Sequence, residues 1–261
     1  MRALHIAATG MNAQQMRVEV ISNNLANMNT TGYKTRRAEF ADLHYQQLAR
    51  PGSIAAADGS ILPTGVQLGL GVRPAAVSMT LEQGTVTETR GDLDLAIEGA
   101  GWFEVLLPSG ASAYSRDGSF ERTGDGLIVT SDGFALQPEI TIPDEAFRVS
   151  INADGEVYAH FRDTVDPELL GQITLTRFTN AKGLEAIGGN LFLETPASGP
   201  PVTTLPGTDG SGSLRQGYLE NATVDAVREV TQLIEAQRGY ELNSKVITAV
   251  DQMMAATGNV R

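Results

Sequence analysis

Cysteine is absent from the sequence, and histidine is scarce. Without a thiol, the chain can form neither disulfide bonds nor thiolate metal sites. The histidines are His5, His44 and His160, and they lie too far apart in the sequence to give the paired spacing of a metal-binding helix. We therefore expect neither a metal ion nor another cofactor.

The sequence also has few basic residues and no long apolar run. The chain has 19 Lys and Arg against 31 Asp and Glu, which gives a formal net charge of -12. Because nucleic acids are bound by clustered cations, this balance argues against a nucleic-acid partner. No apolar run approaches the roughly 18 residues that indicate a membrane-spanning helix, so we expect no direct membrane insertion. The N-terminal stretch lacks the pattern of a cleavable secretory signal, and a role outside the cytoplasm would need a dedicated export route.

The sequence also lacks the motifs of common enzyme classes. No Gly-x-Ser-x-Gly nucleophile elbow occurs. Gly99-Ala100-Gly101 lies between two strand-like runs, whereas a dinucleotide site needs a helix after the glycines. Asp92 and Asp94 alternate as one exposed face of a strand would. We therefore predict a protein without enzymatic activity, in which the two glycines allow a bend that places Trp102 and Phe103 in a β core.

An amphipathic stretch is present at each end of the chain. Residues 2–30 and 223–258 both carry apolar residues at spacings of three and four, the seam of a helix that packs on another helix. Gly10 and Gly239 are each less favourable than alanine in a helix by about 1 kcal/mol, which indicates close contacts at both points. Gly32 is suited to a left-handed cap after the first helix.

Neither helix can be stable alone. Burial of the five larger apolar seam residues of the first helix contributes about 7–15 kcal/mol. Ordering about thirty residues costs about 1 kcal/mol or more for each of them. A pair of helices also has too small an interior to satisfy the side-chain amides of the first helix, which belong to Gln14, Gln15, Asn23, Asn24 and Asn27. We therefore expect copies of the chain to complete one another; the alternative for the asparagines, that they only cap the helix end, stays open.

Short strands are predicted between the helices. From Ala75 to about Leu205, runs that alternate with a period of two are separated by turns, which indicates an antiparallel, hairpin-rich β domain. Residues 33–48 are either a short helix or an extended arm, and the stretch that follows has little helical or strand regularity. Four Asp-Gly pairs stand where hairpin turns need a positive φ, and the calcium-loop alternative lacks its D-x-D-x-D-G pattern: Asp117-Gly118, Asp125-Gly126, Asp132-Gly133 and Asp154-Gly155.

These segments together predict an α+β fold. The N- and C-terminal α-helices pair as a coiled-coil-like inner domain, and an antiparallel β-rich core domain and extended connectors are nested between them. The expected boundaries are 1–30 with 222–261 for the helical assembly domain, 31–88 with 206–221 for a connector and β region, and 89–205 for the β core.

Sequence blocks along the whole chain resemble the flagellar rod and hook family. SNNLANMNTTGYK (22–34) is similar to its N-terminal signature and EAQRGYELNSKVI (235–247) to its C-terminal signature. GAGWFEV, AYSRDGSF and RQGYLEN resemble blocks of the family's core domain. The resemblance implies an axial subunit that is exported unfolded through the flagellar type III apparatus. Such subunits polymerise helically into a hollow shaft that crosses the periplasm.

The resemblance also implies which residues make assembly contacts, because the paired terminal helices of the family form the inner tube. The expected contacts are apolar side chains and amides on both helices: Leu4, Met11, Val18, Ile21, Asn23, Asn24, Leu25, Asn27, Val230, Ile234, Gln237, Tyr240, Asn243, Ile247 and Met254.

Residues 46–65 resemble the extra stretch that distinguishes distal rod subunits from proximal rod and hook subunits. Such a stretch would lie between neighbouring subunits and stiffen the shaft. Its expected residues are Gln46, Gln47, Pro51, Gly52, Leu62, Pro63 and Gly65.

The resemblance further implies a set of partners and a location. The partners are further copies of the chain, proximal rod and hook subunits, the rod cap, the P and L rings and the export apparatus. The location is the basal-body rod, from the periplasm to the outer membrane. Two alternatives remain: a proximal rod or hook subunit of the same family, and a secreted carbohydrate-binding or hydrolytic β domain with helical oligomerisation ends.

Overall fold

The computed structural model describes residues 2–49, 64–162 and 166–258. Within these ranges, α1 (Arg2–Ala26) and α2 (Ala226–Gly258) enclose a series of short strands in the sequence. The α+β class predicted from the sequence is thereby confirmed. α2 has 33 residues and is about 50 Å long at 1.5 Å per residue. Neither of these two helices has both the length and the apolar character that crossing a lipid bilayer requires.

The chain divides into two compact units. The first unit contains α1 as far as Leu25, residues 36–78 and α2. Its strands are β1 (Arg36–Asp42), β2 (Tyr45–Ala49), β3 (Val66–Gly69) and β4 (Val72–Met79). β1 lies beside β4, and β2 pairs antiparallel with β3.

The four strands β1 to β4 bear on two predictions made from the sequence. The segment after α1 is extended, which resolves the alternative between a helix and an arm. The prediction of little regularity after residue 48 is wrong for β3 and for the first three residues of β4, whereas the strand predicted from Ala75 onward is present. β3 has only four residues, too few for its alternation to be visible in the sequence, and its pairing with β2 defines it.

The second unit comprises residues 26–35 and 79–225, and it holds the remaining strands and a short 3-10 helix at Ala181–Gly183. The strands are β5 (Val86–Glu88), β6 (Leu95–Glu98), β7 (Phe103–Leu106), β8 (Ser112–Ser115), β9 (Phe120–Arg122), β10 (Ile128–Thr130), β11 (Ala135–Gln137), β12 (Ala146–Ile151), β13 (Glu156–Phe161), β14 (Glu168–Gln172), β15 (Leu175–Arg177), β16 (Glu185–Gly188), β17 (Leu191–Leu193), β18 (Val202–Thr204), β19 (Ser213–Gln216) and β20 (Tyr218–Glu220).

The largest sheet of the second unit has seven strands in the order β16-β17-β8-β7-β11-β10-β9. A three-stranded sheet, β12-β13-β14, and the two-stranded pairs β15-β18, β19-β6 and β20-β5 complete it. The strand pairs are antiparallel, as the sequence predicts. The pairs β19-β6 and β20-β5 join the end of the unit to its beginning, so the chain returns towards its own start before α2.

Consecutive side chains of a strand point to opposite faces, so the neighbours Trp102 and Phe103 belong to two different apolar clusters of the second unit. Phe103 is fully buried in the main cluster beside Phe120 and Leu136. Trp102 packs in a second cluster with Phe192. The prediction that both aromatic residues enter the β core is confirmed, with exposed fractions of 5% for Trp102 and 0% for Phe103. The glycines before them adopt the φ angles of 122° and 146° that the bend requires.

Three of the four Asp-Gly pairs form the predicted turns. Gly126, Gly133 and Gly155 have φ angles of 84°, 85° and 84°. The prediction is wrong for Gly118, which is not among the residues with positive φ. A β-carbon at this position would overlap the carbonyl oxygen of Leu95, so Gly118 is required there by close backbone approach.

Candidate assembly interface

The two terminal helices pack against each other within the first unit and run antiparallel. Near the C-terminal end of α1, Asn24 Nδ2 donates a hydrogen bond of 3.1 Å to Glu229 Oε2 in the first turn of α2. Near the other end, a β-carbon on Gly10 would lie 2.9 Å from Asn243 Nδ2. From the first contact to the second, the position on α1 falls by 14 residues and the position on α2 rises by 14 residues, which is the pattern of antiparallel helices. Two helices in this register stay in contact over about four turns.

Small residues form the centre of this seam. A β-carbon on Gly239 would lie 3.1 Å from Gln14 Cδ, so both glycines stand at places of close approach. The predicted contacts at Gly10 and Gly239 are confirmed. Three alanines of the two helices are almost fully buried: Ala7, Ala13 and Ala236.

The predicted apolar contact residues fall into two groups. Those of α1 are buried or partly buried, with Ile21 only 3% exposed and the others intermediate: Leu4, Met11, Val18 and Leu25. On α2, Ile247 is partly buried. The remaining four are 41–45% exposed: Val230, Ile234, Tyr240 and Met254.

The predicted amides are also divided. Asn24 is buried, and its side chain bridges α1 to the start of β1, because Nδ2 donates to Arg36 O at 2.8 Å and Oδ1 accepts from Arg36 N at 3.0 Å. Asn24 thereby fixes the first unit from within. Asn23 and Gln237 are exposed, and Asn27 and Asn243 are partly buried.

The predicted stiffening stretch is only partly described. Gln46 and Gln47 are exposed residues of β2, and Gly65 is partly buried before β3. The other predicted residues of the stretch lie outside the described residues: Pro51, Gly52, Leu62 and Pro63.

A buried ionic triad that the sequence reasoning missed lies in the second unit. Lys34 Nζ is 2.6 Å from Glu220 Oε1, and Arg116 Nε is 3.1 Å from Glu220 Oε2. The side chains of Lys34, Glu220 and Arg116 are 3%, 1% and 6% exposed. Oε2 accepts no hydrogen bond of regular angle within the described ranges, so its attraction to Arg116 is mainly Coulombic.

Backbone groups complete the coordination of the triad. Lys34 also donates to Glu82 O at 2.8 Å, and the Arg116 guanidinium donates to Gly101 O at 2.7 Å and to Gly99 O at 2.9 Å. Glu220 Oε1 accepts from Gly84 N at 2.8 Å. Two buried cations therefore share one carboxylate, and carbonyl dipoles offset the excess positive charge.

Burial affects the proton affinity of both cations. It lowers the pKa of Lys34 from its usual value of 10.5; the nearby Arg116 charge acts in the same direction, and pairing with Glu220 opposes it. Burial also lowers the pKa of Arg116, again against the attraction of Glu220. The lowered pKa of Lys34 indicates that desolvation and the Arg116 charge together outweigh the pairing with Glu220.

The triad lies where the chain leaves α1 and where it approaches α2. Gly32 N donates to Glu220 O at 2.7 Å, and Thr35 N donates to Thr223 Oγ1 at 2.8 Å. The predicted role of Gly32 as a helix cap is wrong, because α1 ends at Ala26. Its φ of 68° instead allows close approach to the Arg116 backbone, where a β-carbon would lie 2.7 Å from the carbonyl carbon.

One signal in the sequence could have indicated the triad. Its three members fall in three of the blocks that resemble the family, TTGYK, AYSRDGSF and RQGYLEN. The blocks are 82 and 104 positions apart, from residue 34 to 116 and from 116 to 220. A charged residue in each of three distant blocks is compatible with a shared ion pair, but nothing in the sequence indicates that the three charges meet.

Three family models match separate parts of the sequence. Residues 4–34 match the family model described as flagella basal body rod protein, residues 96–159 match the flagellar hook protein FlgE/F/G D1 domain, and residues 215–260 match the flagellar basal body rod FlgEFG protein C-terminal. The first and third matches cover most of α1 and all of α2, and the second lies in the β-rich unit.

Whole-length relatives agree with the family models. The flagellar basal-body rod protein FlgG of Caulobacter vibrioides is 54% identical over 261 residues, with 100% of both chains covered. The FlgG protein of Agrobacterium fabrum is 49% identical over 97% of each chain. The flagellar hook-basal body complex protein FlhP of Bacillus subtilis is 30% identical over 100% of each chain. The chain belongs to the family of flagellar basal-body rod proteins.

Proposed function

We propose that this chain polymerises helically into the distal part of the flagellar rod, a rigid hollow drive shaft that transmits torque from motor to hook. In this proposal the protein is structural and has no enzymatic activity. The terminal helices form a coiled-coil-like inner domain, within the boundaries 1–30 and 222–261. Residues 31–88 with 206–221 connect this domain to a β core at 89–205.

The observation that carries the proposal is the apolar surface of α2 that pairing with α1 does not cover. Val230, Ile234 and Tyr240 recur along this helix, and each remains 44–45% exposed in the single chain. Complete burial of such a side chain contributes about 1.5–3 kcal/mol, and about half of that, roughly 0.7–1.4 kcal/mol each, is still to be gained at these half-exposed positions. Repeated contacts that do not close into a ring generate a helical filament, which would bury this surface between copies.

The ionic triad holds the two ends of the β-rich unit together. The segments that enter and leave the β-rich unit are held at one place, because Lys34 follows α1 and Glu220 precedes α2. The contact residues predicted on the two helices would then meet equivalent positions of neighbouring subunits.

The proposed partners follow from the position of a rod in the basal body. They are proximal rod subunits below, hook subunits and the rod cap above, the P and L rings around the shaft, and the type III export apparatus during delivery. The proposed location is the rod between the periplasm and the outer membrane. The excess of 12 negative charges is compatible with an outer face that does not adhere to surrounding rings.

Deletion of residues 1–27 tests the role of the helices. We expect the truncated chain to form no filaments by electron microscopy, while fluorescence of the single Trp102 shows that the β-rich unit is still folded. Ile234→Ser is a finer variant, since it removes half-exposed apolar surface of α2, and Glu241→Ser on the same helix is its control. Filaments from the truncated chain at the concentration that the intact chain needs would refute the proposal.

Shortening of residues 46–65 distinguishes a distal rod subunit from the proximal rod and hook alternatives. If this stretch stiffens the shaft, its shortening should convert straight filaments into curved, flexible ones. The persistence length measured from electron micrographs is the readout. An unchanged persistence length would favour a different position in the same family.

A further inference from the structure

A cavity of about 290 Å³ opens in the second unit, and Gly101, whose carbonyl oxygen binds Arg116 of the triad, is among the residues that line it. Trp102, Phe178 and Leu81 provide much of its apolar lining, and Arg177 and Lys182 also line it. Its volume is at the lower end of the range of about 300–1,000 Å³ that is typical of small-molecule sites. We refer to it as the Trp102 cavity.

The aromatic walls of the Trp102 cavity are fixed by their neighbours. Trp102 meets Phe192 edge to face with ring centroids 5.0 Å apart, and Phe178 meets Tyr114 in the same way at 4.7 Å. The backbones of Trp102 and Thr176 exchange two hydrogen bonds of 2.9 Å. The cavity is therefore preformed, and binding of an occupant needs no additional loss of side-chain entropy to order these walls.

The charge of the cavity differs from that of the chain. Its charged lining residues, within the part of the chain that the structure describes, are the two cations Arg177 and Lys182. Arg177 donates to the Asp209 carbonyl oxygen, which holds its guanidinium in place, and Lys182 is exposed. A cationic, aromatic-walled cavity in a chain with a net charge of -12 fits an occupant that combines an apolar group with acidic residues.

The second unit carries such a group elsewhere on its surface. Phe147 is 56% exposed, and among the described residues it is the only exposed aromatic side chain of this unit. It follows Asp144 and Glu145 in the sequence. The register between β12 and β13 shifts between Ala146 and Arg148, and a bulge of this kind redirects a side chain. We call residues 143–147 the Phe147 projection.

We infer that the Phe147 projection of one copy docks into the Trp102 cavity of a second copy. Phe147 would pack on the aromatic walls, and Glu145 would lie beside Lys182. Asp144 would contribute less to the binding, because its Oδ1 already forms an ion pair with Arg122 Nη2 at 3.9 Å. Phe147 does not line the cavity of its own chain, so the contact joins two different surfaces of neighbouring subunits, which is the head-to-tail type that a helical polymer needs.

This inference rests on the proposed polymerisation, and disulfide cross-linking tests it directly. Because the chain has no cysteine of its own, every disulfide of the double variant Glu145→Cys with Lys182→Cys must involve position 145 or position 182. Oxidation of its filaments should give a ladder of covalent oligomers on a non-reducing gel. Glu168→Cys with Lys182→Cys is the matched control, since Glu168 is an exposed acidic residue of the same three-stranded sheet, and it should give no ladder.

Surface variants provide a second readout that does not depend on disulfide geometry. Phe147→Ser should raise the concentration needed for filament formation at least about tenfold, the effect of losing a buried aromatic contact. Glu145→Lys and Lys182→Glu should each weaken assembly, and their combination should restore it. Unchanged assembly of Phe147→Ser, in a chain whose intact form makes filaments, would overturn this inference alone. Failure of the intact chain to form filaments would overturn the proposed function as well.

Discussion

Replacement of Glu220 by glutamine is the sharpest test of the forces in the second unit. Glutamine keeps the size of the side chain, and its oxygen can still accept the hydrogen bond from Gly84 N. It removes the only carboxylate in contact with Lys34 and Arg116 among the described residues. Both cations are at least 94% buried, so neither can recover its hydration without opening the structure.

The expected loss follows from this burial. Breaking a buried ion pair by removing one partner costs about 3–5 kcal/mol, because a charge is left without compensation. The carbonyl oxygens of Glu82, Gly99 and Gly101 still bind the cations, which favours the lower end, about 3 kcal/mol. With a urea dependence of about 2 kcal/mol per molar, the unfolding midpoint should fall by about 1.5 M.

Urea unfolding followed by fluorescence measures this effect, because the single tryptophan, Trp102, is buried in the same unit. Glu88→Gln provides the control. Glu88 pairs with Arg90 at 3.4 Å, but the two side chains are 53% and 85% exposed, and the midpoint should hardly change. Equal midpoints for the two variants would refute the conclusion that the triad stabilises the unit through its charges.

Three further predictions concern single residues of the two units. Gly10→Leu should favour an isolated helix by about 1 kcal/mol, yet it should separate the helices at Asn243 and speed their proteolysis; slower proteolysis would contradict the close seam. Gly32→Ala should lower the unfolding free energy by at least about 1–2 kcal/mol in the same urea assay, because φ is positive and the Arg116 backbone is in contact. Because the pKa of Lys34 is lowered in the folded chain, Lys34 is protonated more fully in the unfolded than in the folded chain at pH values just below 10.5. The unfolding free energy of the native chain should therefore rise with pH in that interval, relative to Lys34→Met. A relative fall would show that the ion pair outweighs burial.

The helices could be predicted from the sequence because their information is local. A period of three and four residues is visible within one stretch, and a glycine in such a period has a known energetic cost. The sequence therefore predicts contact points at Gly10 and Gly239 without reference to the partner helix. The sequence does not reveal which surface the partner covers. The large residues of the period suggested the seam, whereas glycine and alanine form its centre and Val230 and Ile234 remain exposed.

Features that depend on distant parts of the chain could not be predicted. β3 is defined by its pairing with β2, and the triad joins charges that are 82 and 104 positions apart. Gly118 shows the same limit on a smaller scale. Its Asp-Gly pair has the composition of a turn, but contact with the Leu95 backbone is the reason for the glycine. Local composition specifies a conformation only where no other segment competes for the same space.

The composition of the helix seam has a consequence for how assembly and stability are linked. Alanine and glycine bury little apolar area, at about 0.8 kcal/mol for each buried CH₂ group, so the contact between α1 and α2 contributes little by itself. The larger residues of α2 keep their surface available. In the proposed filament that surface is buried between subunits, and the stability of the helices then depends on subunit concentration through mass action. The β-rich unit has a core of its own, so we expect it to remain folded without assembly. Dilution should therefore melt the terminal helices first, and a loss of helical circular dichroism at unchanged Trp102 fluorescence would show this order, whereas simultaneous loss of both signals would mean that the two units share their stability.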